Sequence, residues 1–258
     1  MPGLRQIASF LWAERSLLAD PETIRLELSA RLDRPLLLKR FIRGRGWGLK
    51  YLLESEGPDR PLILLKIASR ILERRLQRSQ GGNYLPPAER YSQETEVILA
   101  LAREGLGPQL IDSGPSWFAR DFMEGHCLHE FPPDELAAVM PQVLAAVDRV
   151  VEAGIFHTDI NSNNVIIGPD CMQVGFIDSE WPKTGPLAGL DRAAVRRYCH
   201  RRLLFTLGRD YPTAREAGFR ERLIMLAEAY YGDTNGPLSR EEISVLLSGN
   251  GFTAWSVE

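Results

Sequence analysis

The apolar and polar positions divide the chain into a first part rich in short apolar runs and a second part rich in helical periodicity. Residues 35–69 hold three such runs, PLLLKRFI, LKYLLES and PLILLKIAS, separated by the turn signals GRGWG and EGPDR. Short apolar runs between glycine and Pro-Asp turns predict antiparallel strands in a small sheet. A further strand pair is predicted in PQLIDSG and SWFARDFMEG.

Two helices are predicted between these groups of strands. Residues 70–78 form a basic segment with apolar residues at helical spacing, and the pattern stops at Gly81 and Gly82. Residues 90–103 give a stronger helical pattern with an apolar stripe, on which Glu94 lies and from which Glu96 points away. A carboxylate on a buried face is costly unless a cation or donor meets it. The pattern therefore predicts a cationic partner for Glu94.

In the second part, helices are predicted over residues 132–153 and over most of the chain beyond residue 181. Between them, GIFHTDINSNNVIIGPDCMQVGFIDSE (residues 154–180) places two apolar runs around GPDCMQ. Gly-Pro-Asp turn chemistry between two apolar runs predicts an antiparallel hairpin. A register symmetric about Cys171 would place Ile167 opposite Gly175 and Asn164 opposite Asp178.

Side chains with metal-binding chemistry lie at the open end of this hairpin. In the predicted register the Cβ atoms of Asn164 and Asp178 are about 4.5 to 5.5 Å apart, close enough to share a divalent cation. Mg²⁺ prefers hard oxygen ligands and is commonly held by one or two side chains plus substrate phosphates. Asp159, on the loop that enters the hairpin, can accept a proton from an attacking hydroxyl. The alternative is that these are solvated residues capping a turn.

Composition and charge narrow the classes of function. The chain has 258 residues, which suits one large domain or two small lobes, and its net charge of −3 gives no reason to expect nucleic acid. Charged residues interrupt the apolar N-terminus, so we predict neither a signal peptide nor a membrane span. Cys127, Cys171 and Cys199 are scattered along the chain. A zinc site or disulfide framework is therefore not expected, and a cytoplasmic location fits best.

The stretch HTDINSNN resembles the catalytic loop of protein kinases, and FIDSE stands where kinases have D-F-G. The resemblance implies an α+β, bilobal, protein-kinase-like fold. Residues 1–124 would form an N-lobe with a small antiparallel β-sheet and a helix, and residues 125–258 a mainly helical C-lobe. In such a fold Asp159 is the catalytic aspartate that orients the acceptor hydroxyl, and Asn164 and Asp178 hold Mg²⁺.

The same resemblance assigns the nucleotide site. Gly44, Gly46 and Gly48 would cover the phosphates of ATP with backbone N–H groups, although G-x-G-x-G departs from the full G-x-G-x-x-G. Lys66, in the strand LILLK, would contact the α- and β-phosphates and be oriented by Glu94. The adenine would lie near residues 120–125. Lys39 is a rival strand lysine, but it precedes the glycines, which is the wrong order; a strand lysine can also extend to water.

Three departures point away from typical protein kinases. Thr158 stands where they have arginine, the D-F-G reads Asp178-Ser179-Glu180, and only about eighty residues follow. An activation loop switched by phosphate is therefore not expected. The HTDIN loop, the FID ending and the basic helix at residues 190–207 are most similar to the bacterial lipopolysaccharide-core kinases, which phosphorylate heptose or Kdo sugars at the cytoplasmic side of the inner membrane.

The resemblance thus implies an ATP- and Mg-dependent phosphotransferase whose acceptor is a hydroxyl of a lipopolysaccharide-core or related glycan. A serine/threonine protein kinase and a nucleotide-binding pseudokinase scaffold remain alternatives. His157 is predicted to hold the loop backbone rather than to act as a base. The basic helices at residues 70–78 and 192–202 could meet acidic lipid headgroups at the inner face of the inner membrane or phosphates of a glycolipid core. They could equally be solvated faces.

Overall fold

A computed structural model describes residues 4–41, 48–55, 62–81, 84–155, 157–179, 189–234 and 236–250. The helices are α1 (Leu4–Glu14), α2 (Pro21–Arg31), α3 (Arg70–Gln80), α4 (Pro87–Arg103), α5 (Pro133–Glu152), α6 (Arg192–Asp210), α7 (Ala217–Thr234) and α8 (Arg240–Leu247). The strands are β1 (Leu36–Phe41), β2 (Gly48–Ser55), β3 (Leu62–Ala68), β4 (Leu110–Gly114), β5 (Trp117–Asp121), β6 (His126–Cys127), β7 (Val165–Ile167) and β8 (Val174–Phe176). The chain forms two compact units, Met1–Glu96 with Gln109–Phe122, and Val97–Pro108 with Met123–Glu258.

The first unit is built on a five-stranded antiparallel sheet with the order β1-β2-β3-β5-β4. The three predicted runs form β1, β2 and β3, and the second predicted pair forms β4 and β5. Strand β3 is central and is buried along nearly its whole length. Its apolar side chains pack with residues of α1 and α2 into one core cluster. The predicted basic helix is α3, which ends at Gln80 with Gly81 as its C-cap.

Helix α2 is an element that the hydrophobic pattern did not predict. Its sequence, PETIRLELSAR, has only a weak apolar stripe, of which Ile24 and Leu28 are buried. The local start signal is nevertheless clear, because Pro21 is at the first helical turn and the Asp20 side chain accepts from the Thr23 backbone N–H at 2.9 Å. Capping chemistry would therefore have found this helix where periodicity did not.

The second unit is mainly helical, with a small three-stranded sheet in the order β6-β7-β8. Helices α5, α6, α7 and α8 share one large apolar core with the strand residues Val165, Ile167 and Phe176. Gly125 precedes β6 with a φ of +138°, and a Cβ there would lie 2.1 Å from the Ile167 carbonyl oxygen. Only glycine allows this close approach of the two backbones.

The predicted hairpin is present as β7 and β8, but its predicted register was wrong by one residue. Ile167 pairs with Val174 rather than Gly175, and the carbonyl of Asn164 accepts from the N–H of Ile177 at 2.9 Å. The reason is the turn. The Gly168 N–H donates to the Gln173 carbonyl at 2.9 Å, which leaves four residues in the loop instead of the five that symmetry about Cys171 requires.

These elements confirm the α+β class, with an antiparallel sheet and helix in the first unit and a mainly helical second unit. Helix α4 begins at Pro87, three residues before the predicted start, because proline is favoured in the first helical turn. Its residues up to Glu96 belong to the first unit and those from Val97 to the second. Within the described residues, no helix is long and apolar enough to cross a bilayer.

Candidate active site

In the first unit, Lys66 and Glu94 form a buried ion pair. Lys66 lies in the middle of β3 and Glu94 on α4, and the Lys66 Nζ is 2.7 Å from Oε1 and 2.9 Å from Oε2 of Glu94. Each side chain is 3% exposed. Burying either charge alone is costly, and removal of one partner leaves the other uncompensated. The structure thus brings together the strand lysine and the helix glutamate that the sequence singled out.

Aromatic rings complete the surroundings of this pair. The Lys66 Nζ lies 5.5 Å from the centroid of the Phe118 ring and 5.9 Å from that of Tyr91, so the ammonium is held by ring faces as well as by Glu94. Gly48, the first residue of β2, is packed against the same cluster, because a Cβ there would lie 2.6 Å from the Tyr91 hydroxyl oxygen. A side chain at Gly48 would displace Tyr91.

The other candidates in the first unit fall in different places. Gly44 and Gly46 lie outside the described residues. Lys39, the rival strand lysine, is exposed on β1 and forms a surface ion pair with Glu54. Lys50 stands directly opposite Lys66 in the β2–β3 pairing. Cross-strand partners share one face of a sheet, so Lys50 adds a second cation there that sequence reasoning did not single out.

In the second unit, the loop before β7 is held by its own asparagines. The Asn161 Oδ1 accepts from the backbone N–H groups of Asn163 at 2.9 Å and Asn164 at 3.1 Å. The Asn161 Nδ2 donates to the carbonyl of Asp159 at 3.1 Å. Asparagine favours such turns because its short amide can bond nearby backbone groups. The turn fixes the backbone between Asp159 and Asn164.

Both carboxylate oxygens of Asp159 are engaged. The Asn164 Nδ2 donates to Oδ2 at 2.9 Å and to the Asp159 carbonyl at 3.0 Å. A guanidinium N–H of Arg202, on α6, donates to Oδ1. Asp159 is therefore fixed in orientation by two donors from different elements. The contact with Arg202 was not predicted, because the sequence suggested only a basic helix face there.

Asp178 follows β8 in a sparsely populated backbone conformation. Its φ of +56° is left-handed, which costs an L-residue on the order of 1 kcal/mol and recurs at functional sites. Its carbonyl is 3.5 Å from the Asn164 Nδ2. Although Asn164 pairs with Ile177 and not with Asp178, the turn at Asp178 keeps the two residues adjacent. Asp159, Asn164 and Asp178 are thus brought together at the open end of the hairpin.

His157 holds this arrangement from the buried side. Its Nε2 lies 3.2 Å from the Ile177 carbonyl, and its ring meets Phe176 edge-on with centroids 5.9 Å apart. Burial lowers the pKa of His157 to about 4, against the opposing influence of Asp159. The neutral imidazole therefore donates from Nε2 to the strand at neutral pH, as a residue that holds the backbone.

Helix α6 supplies a second support that the sequence did not reveal. Arg202, Thr206 and Asp210 are four residues apart and so lie on one helix face. Arg202 binds Asp159, the Thr206 Oγ1 accepts from the Ser162 N–H at 3.0 Å, and the Asp210 Oδ2 accepts from the Asn163 Nδ2 at 3.0 Å. This face holds the whole loop. Two further arginines of the predicted basic helix, Arg196 and Arg197, bind Asp148 and Glu242.

The donor set at the hairpin end fits Mg²⁺. The amide oxygen of Asn164 and the carboxylate of Asp178 are hard oxygen ligands, and a magnesium ion commonly takes few protein ligands because phosphates and water complete its shell. A site in which protein side chains supply the whole coordination shell of the metal is a different arrangement. Within the described residues, no cluster of three or more histidine, cysteine or acidic side chains could hold a metal.

Comparison of sequences found no match, whereas many solved structures are similar to this chain. No protein-family profile matches the chain, and no curated protein matches it in sequence. Among solved structures, the kinase domain of PknI from Mycobacterium tuberculosis is similar, with 18% sequence identity, a TM-score of 0.46, and coverage of 86% of this chain and 93% of that domain. What points to a function is the side-chain geometry within each unit.

Proposed function

We propose that the protein is an ATP- and Mg-dependent phosphotransferase that moves the γ-phosphate to a hydroxyl group. The observation that carries this proposal is the cluster at the end of the β7–β8 hairpin, where Asn164 bonds Asp159 and lies beside Asp178. A fixed carboxylate beside an amide, with the acidic residue Asp178 held by its backbone at the same turn, would provide the two functions that phosphoryl transfer needs, orientation of the acceptor and binding of the metal.

In this proposal the first unit binds the phosphates of ATP. Lys66 contacts the α- and β-phosphates, and the bidentate contact with Glu94 keeps the ammonium from swinging away when no nucleotide is present. Gly48 supplies backbone at the edge of the phosphate site, together with Gly44 and Gly46. Because little covalent chemistry falls to the protein in phosphoryl transfer, such positioning accounts for most of the rate enhancement.

Asn164 and Asp178 would hold magnesium, which, when bound, neutralises charge on the phosphate oxygens. Asp159 would accept a hydrogen bond from the acceptor hydroxyl and direct its oxygen at the γ-phosphorus. Arg202 acts through Asp159 as a positioning residue, since its guanidinium fixes one carboxylate oxygen. His157 keeps the loop against β8.

For the acceptor we propose a sugar hydroxyl of lipopolysaccharide core or a related glycan, and a cytoplasmic location with peripheral contact at the inner membrane. The support is the resemblance of the HTDIN loop and the FID ending to kinases of that substrate class. Thr158 supports it further, because a protein kinase switched by activation-loop phosphorylation uses an arginine at that position.

The proposal is tested by incubating the purified full chain with MgATP and core oligosaccharide, in parallel with a generic protein substrate. We expect ADP and a mass gain of one phosphate on the glycan. The Lys66→Met variant should give neither product. Phosphate on the protein substrate alone would favour a serine/threonine protein kinase, and nucleotide binding with no product on either acceptor would favour a pseudokinase.

A further inference from the structure

One face of helix α3 carries a cluster of exposed arginines. Leu72, Glu73 and Leu76 are buried on the side of the helix that meets the rest of the first unit. The exposed arginines of this helix are Arg70, Arg74, Arg75 and Arg78. At about 100° per residue, the four fall within an arc of about 140° opposite the buried side. The helix therefore presents a mainly basic face to solvent.

Within the part of the chain that the structure describes, no acid neutralises the charge of this face. Among the described residues, no carboxylate forms an ion pair with any of these four arginines. The acid of this helix, Glu73, is buried and binds Arg90 and the Tyr84 hydroxyl. Helix α6 differs in this respect, because Arg196 and Arg197 are paired with acids of their own unit.

Helix α1, beside α3, has an exposed apolar face. Phe10 and Ala13 are buried and belong to the core of the first unit. Leu11 and Trp12 are 43% and 44% exposed, and with exposed Ala8 they fall on a different side of the helix from the core residues. Contiguous exposed apolar side chains, unlike singly scattered ones, are typical of surfaces that bind a partner or a membrane.

The two faces form one surface. The Arg75 guanidinium lies 4.7 Å from the centroid of the Trp12 ring. The end of α1 is bonded to the start of α3, because the Arg70 N–H donates to the Ser16 carbonyl at 2.8 Å and the Ser69 Oγ donates to the Ala13 carbonyl at 2.7 Å. We call the exposed residues Leu11, Trp12, Arg70, Arg74, Arg75 and Arg78 the α1–α3 surface.

We propose that the α1–α3 surface binds the headgroup region of an anionic lipid bilayer. Tryptophan and leucine beside arginines are the combination by which helices lie in a bilayer interface, with the rings at headgroup level and the cations on anionic lipids. Each arginine close to an anionic leaflet contributes roughly fivefold in affinity. A soluble polyanion, such as a phosphorylated glycan, would use the arginines but would gain nothing from Leu11.

The test is sedimentation of the full chain with vesicles of phosphatidylcholine containing about one third phosphatidylglycerol, without nucleotide. We expect binding that weakens steeply with salt and is absent with phosphatidylcholine alone. Arg74→Gln/Arg75→Gln/Arg78→Gln should bind about a hundredfold more weakly. Arg31→Gln/Arg222→Gln/Arg240→Gln, which makes the same charge change at exposed arginines paired with acids, should bind like the wild type.

The apolar side chains are tested separately. Trp12→Phe should keep binding but lose part of the blue shift of tryptophan fluorescence seen with vesicles, and Leu11→Ser/Trp12→Ser should bind at least tenfold more weakly with an unchanged far-ultraviolet circular dichroism spectrum. No binding to anionic vesicles, or equal binding by the α3 triple variant, would overturn the proposal. Heparin binding that matches vesicle binding and ignores Leu11 and Trp12 would instead indicate a polyanion site. None of these outcomes depends on phosphotransferase activity.

Discussion

Lys66 and Glu94 show how two residues can each account for the presence of the other. A lysine in the apolar run LILLK and a glutamate on the apolar stripe of the next strong helix both need a counter-charge, and the structure pairs them at 2.7 Å. Their contact could be predicted from the sequence, because each is a charged residue in a locally apolar pattern and the two charges are opposite. Their role toward a nucleotide stays a prediction.

Removal of one member of this pair should be more damaging to the fold than removal of both. We expect Lys66→Met and Glu94→Leu each to lower the free energy of unfolding by about 3 to 5 kcal/mol, since each leaves a buried charge. Lys66→Met/Glu94→Leu should come within about 1 kcal/mol of the wild type. Urea denaturation measures all three. An additive loss in the double variant would contradict the account, as would ATP turnover by the double variant.

The contact of Arg202 with Asp159 is one of the features of the site that sequence reasoning missed. Arg202 lies forty-three positions from Asp159 in a helix with several other arginines, and nothing local distinguishes it from them. Which arginine faces the loop depends on how α6 packs in the second unit. Long-range pairing of this kind is a property of packing and not of any one segment.

We expect Arg202→Leu to lower kcat by about ten- to a hundredfold while KM for ATP changes little, because Asp159 loses one of its two fixed donors. Arg202→Lys should recover part of kcat, since it restores charge without the guanidinium geometry. Steady-state kinetics with varied ATP separates the two parameters. Arg197→Leu, which removes another ion pair of α6, serves as the control. Equal losses in both variants would assign Arg202 a structural role only.

Among the elements, the β7–β8 hairpin shows where prediction from sequence ends. Its existence follows from two apolar runs around Gly-Pro-Asp, but its register depends on the loop closing with the Gly168 N–H to Gln173 carbonyl bond. The same sequence is compatible with a four-residue loop and with a five-residue loop. The hairpin therefore pairs Asn164 with Ile177 instead of Asp178. The left-handed turn at Asp178 still keeps Asp178 adjacent to Asn164.

Two buried histidines join elements of the second unit. His157 links the loop to β8. His200, on α6, donates from Nε2 to Asp148 at 2.8 Å and accepts from the Tyr231 hydroxyl at 2.9 Å through Nδ1, which sets its neutral tautomer. Burial lowers the pKa of both imidazoles, to about 4 for His157, and for His200 this outweighs the neighbouring Asp148. Both histidines are therefore neutral in the folded protein at neutral pH.

Stability should accordingly fall in mild acid. A histidine with a lowered folded-state pKa contributes fully above its unfolded pKa of about 6.5 and loses that contribution as the pH falls toward the folded value. For His157 alone the loss between pH 7.5 and pH 5 is about 2 kcal/mol. Urea denaturation across this range should show it, with a shallower slope for His157→Gln. A free energy of unfolding that does not change with pH would contradict the assignment.

At the scale of the molecule, the fold class could be predicted from the sequence, whereas the boundary between the two units was harder to predict. Short apolar runs followed by helical periodicity indicate a strand-rich part and a helical part, with a boundary predicted at residue 124. The structure also assigns Val97–Pro108, the end of α4 and the segment after it, to the second unit. Helix α4 has a single continuous apolar stripe, so periodicity cannot locate the residue at which the assignment changes from one unit to the other.

The role of Asp159 in phosphoryl transfer can be measured by turnover and binding of MgATP on the same samples of wild type and Asp159→Asn. Calorimetry gives nucleotide affinity, and ADP formation with the glycan acceptor gives turnover. We expect affinities within a few-fold of each other and a turnover about a thousandfold lower in the variant, because Asp159 acts on the acceptor and not on the nucleotide. A wild type that binds MgATP without forming ADP, or a variant as active as the wild type, would contradict the account.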